Sequence, residues 1–96
     1  VLHHRFLNKF VETATAIVSE IHAAFEARSA GRVSDLGHKL KSSARTVGAH
    51  PLADLCDALE SAGIAGEWQT IETLHARLDG LFDAVRIFIE SIEAPQ

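Results

Sequence analysis

The sequence predicts an all-α protein, an antiparallel up-down-up-down four-helix bundle, and three observations predict it. Apolar residues recur at intervals of three and four along almost all of the 96 residues, the spacing of one face of a helix that turns about 100° per residue. The rhythm is interrupted only by short segments rich in glycine and proline, which leave connections of about two to five residues and force consecutive helices to run antiparallel. No stretch shows the alternating β-branched pattern of a strand.

The first helix is expected over residues 3–28, where Phe6, Phe10, Ala14, Ile17, Ile21 and Ala24 form a stripe with Phe25 at its edge. Ser29-Ala30-Gly31 ends it, with Gly31 the expected left-handed residue. The second helix, 32–47, carries Val33, Leu36, Leu40, Ala44 and Val47 on one side and stops at Gly48. His50-Pro51 restarts the chain, since proline suits a first helical turn. Leu52, Leu55, Cys56, Leu59 and Ala62 give the third stripe over 51–62, and Gly63 and Gly66 bracket a link. The fourth helix, 67–93, has the longest stripe, from Trp68 through Ile71, Leu74, Leu78, Leu81, Phe82, Val85, Phe88 and Ile89 to Ile92, closed by Pro95.

A chain of this length makes one domain with one core. No apolar run approaches the roughly 20 residues that cross a bilayer, and no signal peptide is visible. The first residue is valine rather than methionine, so a fragment of a longer chain is expected. One cysteine excludes an internal disulfide, and its place on the third stripe makes Cys56 a small core residue rather than a reactive thiol. The net charge of −4 divides unevenly. Residues 1–48 hold seven Lys/Arg and four Asp/Glu, a balance of +3; residues 49–96 hold two and nine, a balance of −7. Overall acidity argues against nucleic-acid binding, which needs a broad positive surface. A compact basic spot instead suits one small anion or an acidic patch on a partner.

That spot is Lys39, Lys41 and Arg45, around His38. His38 is two residues from Leu36 and two from Leu40, so it points away from the core stripe. Lys41, Ser42 and Arg45 follow at three, four and seven residues and share its outer face. An exposed imidazole is largely neutral and nucleophilic near pH 7. Cations and small hydroxyl residues beside it suit a phosphoryl dianion, whose transfer depends on in-line geometry and charge compensation. Lys41 is placed to approach phosphoryl oxygens, Arg45 to do so or to touch a partner, and Lys39 to steer the encounter. Ser42 leaves room for another protein and has a hydroxyl to donate, and Ser43 is equally small.

Residues 35–60 resemble histidine-containing phosphotransfer (HPt) domains. The likeness runs through His38-Lys39-Leu40-Lys41-Ser42-Ser43, then Gly48-Ala49, then Leu52, Leu55-Cys56 and Leu59-Glu60. It extends to the Phe-rich first helix and to Gly66-Glu67-Trp68 opening the last. His38 matches the phosphorylated histidine, Lys41 the accompanying lysine and Gly48 the glycine that ends the helix. Two positions depart from the pattern. Ser42 replaces a glycine but is still small. Gly37 replaces a residue that is often alanine, which weakens the helix by about 1 kcal/mol.

The resemblance implies a phosphorelay intermediate. A receiver domain carrying phosphoaspartate would dock on the His38 face, and its phosphoryl group would pass reversibly to Nε2 and on to a second receiver. It implies no cofactor on this chain, with Mg2+ belonging to the receiver, and no ATP site. A monomeric domain in the cytoplasm is expected, without nucleic-acid or direct membrane contact, and the valine start favours a hybrid histidine kinase as its parent. The string after His38 differs from that of dimerising kinase domains.

The other histidines have plainer readings. His50 starts a helix; His3, His4, His22 and His75 offer no pair three or four apart on one helix for a metal; and His22 and His75 are expected on solvated faces. Asp54, Asp57 and Glu60 read as a charged helix face, and Trp68 as packing at the bundle end. The competing function is a non-catalytic helical interaction module in which His38 is incidental. A hydrolytic or transferase enzyme lacks a second acid, base or nucleophile beside His38.

Overall fold

A computed structural model describes the backbone of residues 2–93 and the side chains of residues 6–92. It contains four helices: α1 (Leu2–Glu26), α2 (Ala30–Thr46), α3 (His50–Ala65) and α4 (Trp68–Glu93). Each packs on its chain neighbours, and α1 closes the ring on α4. The expected architecture is therefore present. Pro95 and the side chains of His3 and His4 lie outside the described residues.

The stripes become the core. Ala14, Ile21, Val33, Leu36, Leu40, Leu52, Cys56, Leu59, Ile71 and Leu78 are almost wholly buried. Each large aliphatic side chain among them contributes about 1.5–3 kcal/mol by leaving water. Leu7 and Val18, absent from the expected α1 stripe, join them. Three stripe residues do not: Phe6, Phe88 and Ile92 are 46%, 64% and 42% exposed. Helix length explains this. α1 and α4 run for 25 and 26 residues, whereas α2 and α3 run for 17 and 16. The start of α1 and the end of α4 overhang their partners, leaving an open apolar groove of about 420 Å3 walled by Leu7, Val47, Pro51, Leu81, Phe88 and Ile92.

The C-termini of α1, α2 and α3 close in the same way. The residue in the left-handed position donates its N–H three residues back, and the next residue donates five back, which satisfies the terminal carbonyls. After α2 these bonds are Gly48 to Arg45 and Ala49 to Ala44; after α3 they are Gly66 to Gly63 and Glu67 to Ala62. After α1 the left-handed residue is Arg28, with φ of 55°, and not the expected Gly31, which lies inside α2. A left-handed L-residue costs about 1–2 kcal/mol. Arg28 offsets that cost with its side chain. Its guanidinium lies 5.3 Å from the Phe25 ring centroid and 4.9 Å from that of Trp68, and Nη2 donates to Glu72 Oε2 at 3.1 Å.

Gly63 does not open a link either; α3 continues through it to Ala65. A Cβ at Gly63 would sit 2.8 Å from the Ala30 carbonyl oxygen and 2.8 Å from the Ser34 Cβ. A Cβ at Gly37 would meet the Cys56 carbonyl oxygen at 3.1 Å and the Glu60 nitrogen at 3.3 Å. The two glycines bring the backbones of α2 and α3 together, and Ser34 is buried between them.

This distinguishes glycines by their surroundings. Gly80 has nothing within 4 Å of a built Cβ, so Gly80→Ala should stabilise the protein by about 0.5–1 kcal/mol through helix propensity alone. Gly63→Ala should destabilise it by about 1–3 kcal/mol, because overpacking outweighs the same propensity gain. Urea denaturation midpoints check both, and a Gly63→Ala protein more stable than the parent would show that α2 and α3 are not in tight contact.

Candidate functional site

The close approach of α2 and α3 sets the reach of the side chains that leave their shared groove. His38, on the outer side of α2, has a side chain 62% exposed. Glu60, on the facing turn of α3, is 22% exposed and lies beside it. Its carboxylate is divided between two partners. Oε2 accepts a hydrogen bond from His38 Nδ1 at 3.1 Å, and Oε1 accepts one from Lys41 Nζ at 2.7 Å. Lys41 Nζ also donates to Asp57 Oδ1 at 3.0 Å.

The protonation pattern follows from these contacts. A carboxylate is an acceptor only. A hydrogen bond from Nδ1 therefore fixes that nitrogen as the protonated one and leaves the Nε2 lone pair free. In the neutral ring Nε2 is then the nitrogen with an available lone pair. The Lys41 hydrogen bond is the main reason the Glu60 carboxyl is held below its ordinary range, with a smaller contribution from His38. Glu60 and then Asp57 in turn hold the Lys41 ammonium above its ordinary range. Glu60 is thus ionised throughout the neutral range. The stability it adds is present above its unfolded value of about 4.5 and is lost as pH falls through the lower folded value.

The expected site residues occupy different environments. Lys39, Ser42 and Arg45 are exposed and Ser43 is half-buried. Lys41 is not displayed to solvent; its side chain is only 14% exposed and is tied to two carboxylates of α3. Asp54 is exposed as expected, but Asp57 and Glu60 are more than a solvated face, because they hold Lys41, and Glu60 also holds His38. The sequence carried a signal for Glu60. It follows Leu59 directly and lies four residues after the buried Cys56, at the boundary between core and solvent.

A shallow depression surrounds the ring, lined by Ser34, Asp35, Lys39, Glu60 and Ile64. Ile64 is 75% exposed, more than any other large apolar side chain among the described residues. Beneath the groove, burial pushes the Cys56 thiol up to about 12, so it is not a competing nucleophile. His50 begins α3 and is exposed, and Trp68 packs at the bundle end near Phe25. His22 and His75 depart from expectation: they are partly buried and bonded to each other. No three His, Cys, Asp or Glu side chains among the described residues are grouped to hold a metal, and no described helix is long and apolar enough to cross a membrane.

Comparison with known proteins follows the same lines. The family model described as "Hpt domain" matches residues 5–88. Among solved structures, the chain is similar to histidine-containing phosphotransfer protein B (HptB) from Pseudomonas aeruginosa PAO1. The TM-score is 0.89 at 28% identity, over 92% of this chain and 76% of that one. Comparison with curated proteins gives no significant match.

The His38–Glu60 bond makes a spectroscopic prediction. In Glu60→Ala the ring loses its acceptor, and the population should move from the Nδ1–H tautomer toward Nε2–H, the form an imidazole prefers in water. Ring 15N shifts of His38 at pH 8 read the ratio directly. An unchanged ratio would mean that Glu60 does not set the tautomer.

Proposed function

This chain belongs to the Hpt domain family, the phosphocarriers of two-component phosphorelays, and on that footing we propose that His38 is its phosphorylated residue, accepting at Nε2. The single observation that carries the assignment is the contact between His38 Nδ1 and the Glu60 carboxylate in an otherwise exposed ring. In the neutral ring it leaves Nε2 unprotonated on a largely exposed side chain, where a partner can deliver phosphorus in line. A plain interaction module offers no reason for a carboxylate beneath that particular ring.

The step is a displacement at phosphorus. The Nε2 lone pair of His38 attacks the phosphoryl group of a receiver's phosphoaspartate; an N–P bond forms, the acyl O–P bond breaks, and the receiver recovers its carboxylate. Reversal onto a second receiver completes the relay. Magnesium, where used, sits in the receiver's acidic pocket, and this chain supplies no nucleotide site. The setting is the cytoplasm, as a separate protein or as part of a hybrid histidine kinase.

Electrostatics gives Lys41 its role. Glu60 fixes the ring but is a negative charge close to where phosphoryl oxygens must arrive. Lys41 compensates it and holds it in place, and is itself anchored by Asp57. Lys41 is therefore a positioning residue acting through Glu60. Lys39 and Arg45, both exposed, supply free positive charge for the phosphoryl group and for an acidic receiver face. Ser42 keeps the approach open.

The surface a receiver must cover follows from the chemistry. An aspartate can reach Nε2 only if the receiver covers the depression around it, and Ile64 lies in that depression. Its apolar surface leaves water on docking, which makes it a contact residue for the transfer complex.

Three outcomes test this reading. Incubation with a 32P-labelled phosphoreceiver should place acid-labile, base-stable phosphate on the chain, and His38→Gln should abolish it; retained label in that variant would remove His38 from the mechanism. Lys41→Ala should slow transfer about tenfold or more with helicity unchanged by circular dichroism. Ile64→Asp should raise KM for the phosphoreceiver while leaving labelling by the small donor phosphoramidate intact. Equal loss with both donors would point to damage at the ring rather than at the docking surface.

A further inference from the structure

On the α1–α4 side of the bundle, three titratable groups form a chain that phosphotransfer does not use. His22 Nδ1 and His75 Nε2 are 2.7 Å apart, and His22 Nε2 is 2.7 Å from Asp79 Oδ1. His22 is on α1, whereas His75 and Asp79 lie one turn apart on α4. The imidazoles meet edge to face at 85°, and His75 stacks flat on Phe25 of α1, with centroids 3.9 Å apart. The described contact between α1 and α4 is the least extensive of those between neighbouring helices, so this chain is a substantial part of what joins them.

Counting protons shows what the contact tolerates. With both rings neutral, His75 Nε2–H donates to His22 Nδ1, and His22 Nε2–H donates to Asp79. With one added proton, His22 becomes imidazolium and donates from both nitrogens, to His75 Nε2 and to Asp79, while the His75 proton moves to its Nδ1. Both states keep the 2.7 Å contact. With a second added proton, each facing nitrogen bears a hydrogen, no acceptor remains between them, and two cations oppose each other.

We propose that His22 and His75 form a proton-operated clasp on the α1–α4 seam, closed while the pair holds at most one extra proton and released when both rings are imidazolium. The charges acting on His75 are those of His22 and Glu26 on α1 and Asp79 on α4. Arg28 and Glu72 pair with each other nearby across the same seam. Burial, and then the charge of His22, hold His75 below the ordinary histidine range, against Asp79 and Glu26, which favour its protonation. The sign follows. A depressed folded value means that the unfolded chain binds the proton more readily. The stability contributed by the clasp is therefore present above about pH 6.5 and is lost as pH falls from there through the lower folded value.

The clasp is independent of His38, and its test uses the whole 96-residue chain. Melting temperature followed from pH 7.5 to 5.0 should fall more steeply in the parent than in His22→Gln or His75→Gln, and the two variants should share the shallower slope, because either removes the opposing cation. Amide exchange in the parent below pH 6 should quicken in residues 20–26 and 68–75 more than in 36–60. Equal melting slopes in all three proteins, or exchange rising evenly over the four helices, would overturn the proposal. Should either variant fail to fold, ring titration of the parent by NMR decides. The two protons should bind with affinities at least tenfold apart, and coincident titration of the two rings would overturn the clasp.

Discussion

Everything at the candidate site depends on how closely α2 and α3 approach. Gly37 precedes His38, and Gly63 follows Glu60 by three residues, so backbone takes the place of side chain on both sides of the paired His38 and Glu60. That proximity lets one short carboxylate reach both His38 and Lys41. Were the helices pushed apart by even the width of a methyl group, Glu60 would have to choose between them or meet them through water. The cost in helix propensity, about 1 kcal/mol for each interior glycine, is set against a geometry that no bulkier residue permits. Gly37, read in isolation as a weak point of the helix, is in its packed context a condition of the site.

The site also balances two opposed electrostatic demands. A carboxylate beside the ring makes Nε2 the free nitrogen of the neutral form, yet the same charge would repel the phosphoryl group of the proposed transfer. Removing the carboxylate would ease the approach but release the tautomer; leaving it uncompensated would fix the tautomer but raise the barrier. Lys41, enclosed by Glu60 and Asp57, meets both demands. It is more effective there than as a free surface cation, because a partly buried charge is less screened by salt. The exposed Lys39 and Arg45 are left for longer-range attraction.

The fold was largely legible because its signals are local. Apolar spacing located the four helices, and Gly48, Pro51 and Gly66 marked real boundaries. Errors arose where tertiary contact overrides local preference. Gly31 looked like the end of α1, but Arg28 takes the left-handed position because Phe25, Trp68 and Glu72 hold its side chain. Gly63 looked like a link, but it is an interior glycine selected by Ala30 and Ser34 on another helix. Phe88 and Ile92 looked like core because periodicity cannot reveal that α3 is too short to reach them. At the candidate site, the exposure of His38 was legible from its place opposite Leu36 and Leu40. The partnership of Lys41 with Asp57 and Glu60 was not, since it joins residues 16 and 19 apart in sequence, a relation set by how α2 and α3 pair.

The same reasoning explains why His22 and His75 escaped a one-helix reading. Each is a single polar residue near the edge of an apolar stripe, and only the antiparallel pairing of α1 with α4 brings them within hydrogen-bond distance. The two polar seams then differ in kind. On α2–α3 Asp57 and Glu60 share the Lys41 ammonium, so the cluster beside the ring keeps its form across the neutral range. On α1–α4 the facing groups are two bases whose bond survives one extra proton and fails at two. One seam is built for constancy beside the proposed acceptor atom. The other, away from that atom, can titrate without disturbing it, because the glycine-lined contact that holds Glu60 against His38 belongs to α2 and α3 alone.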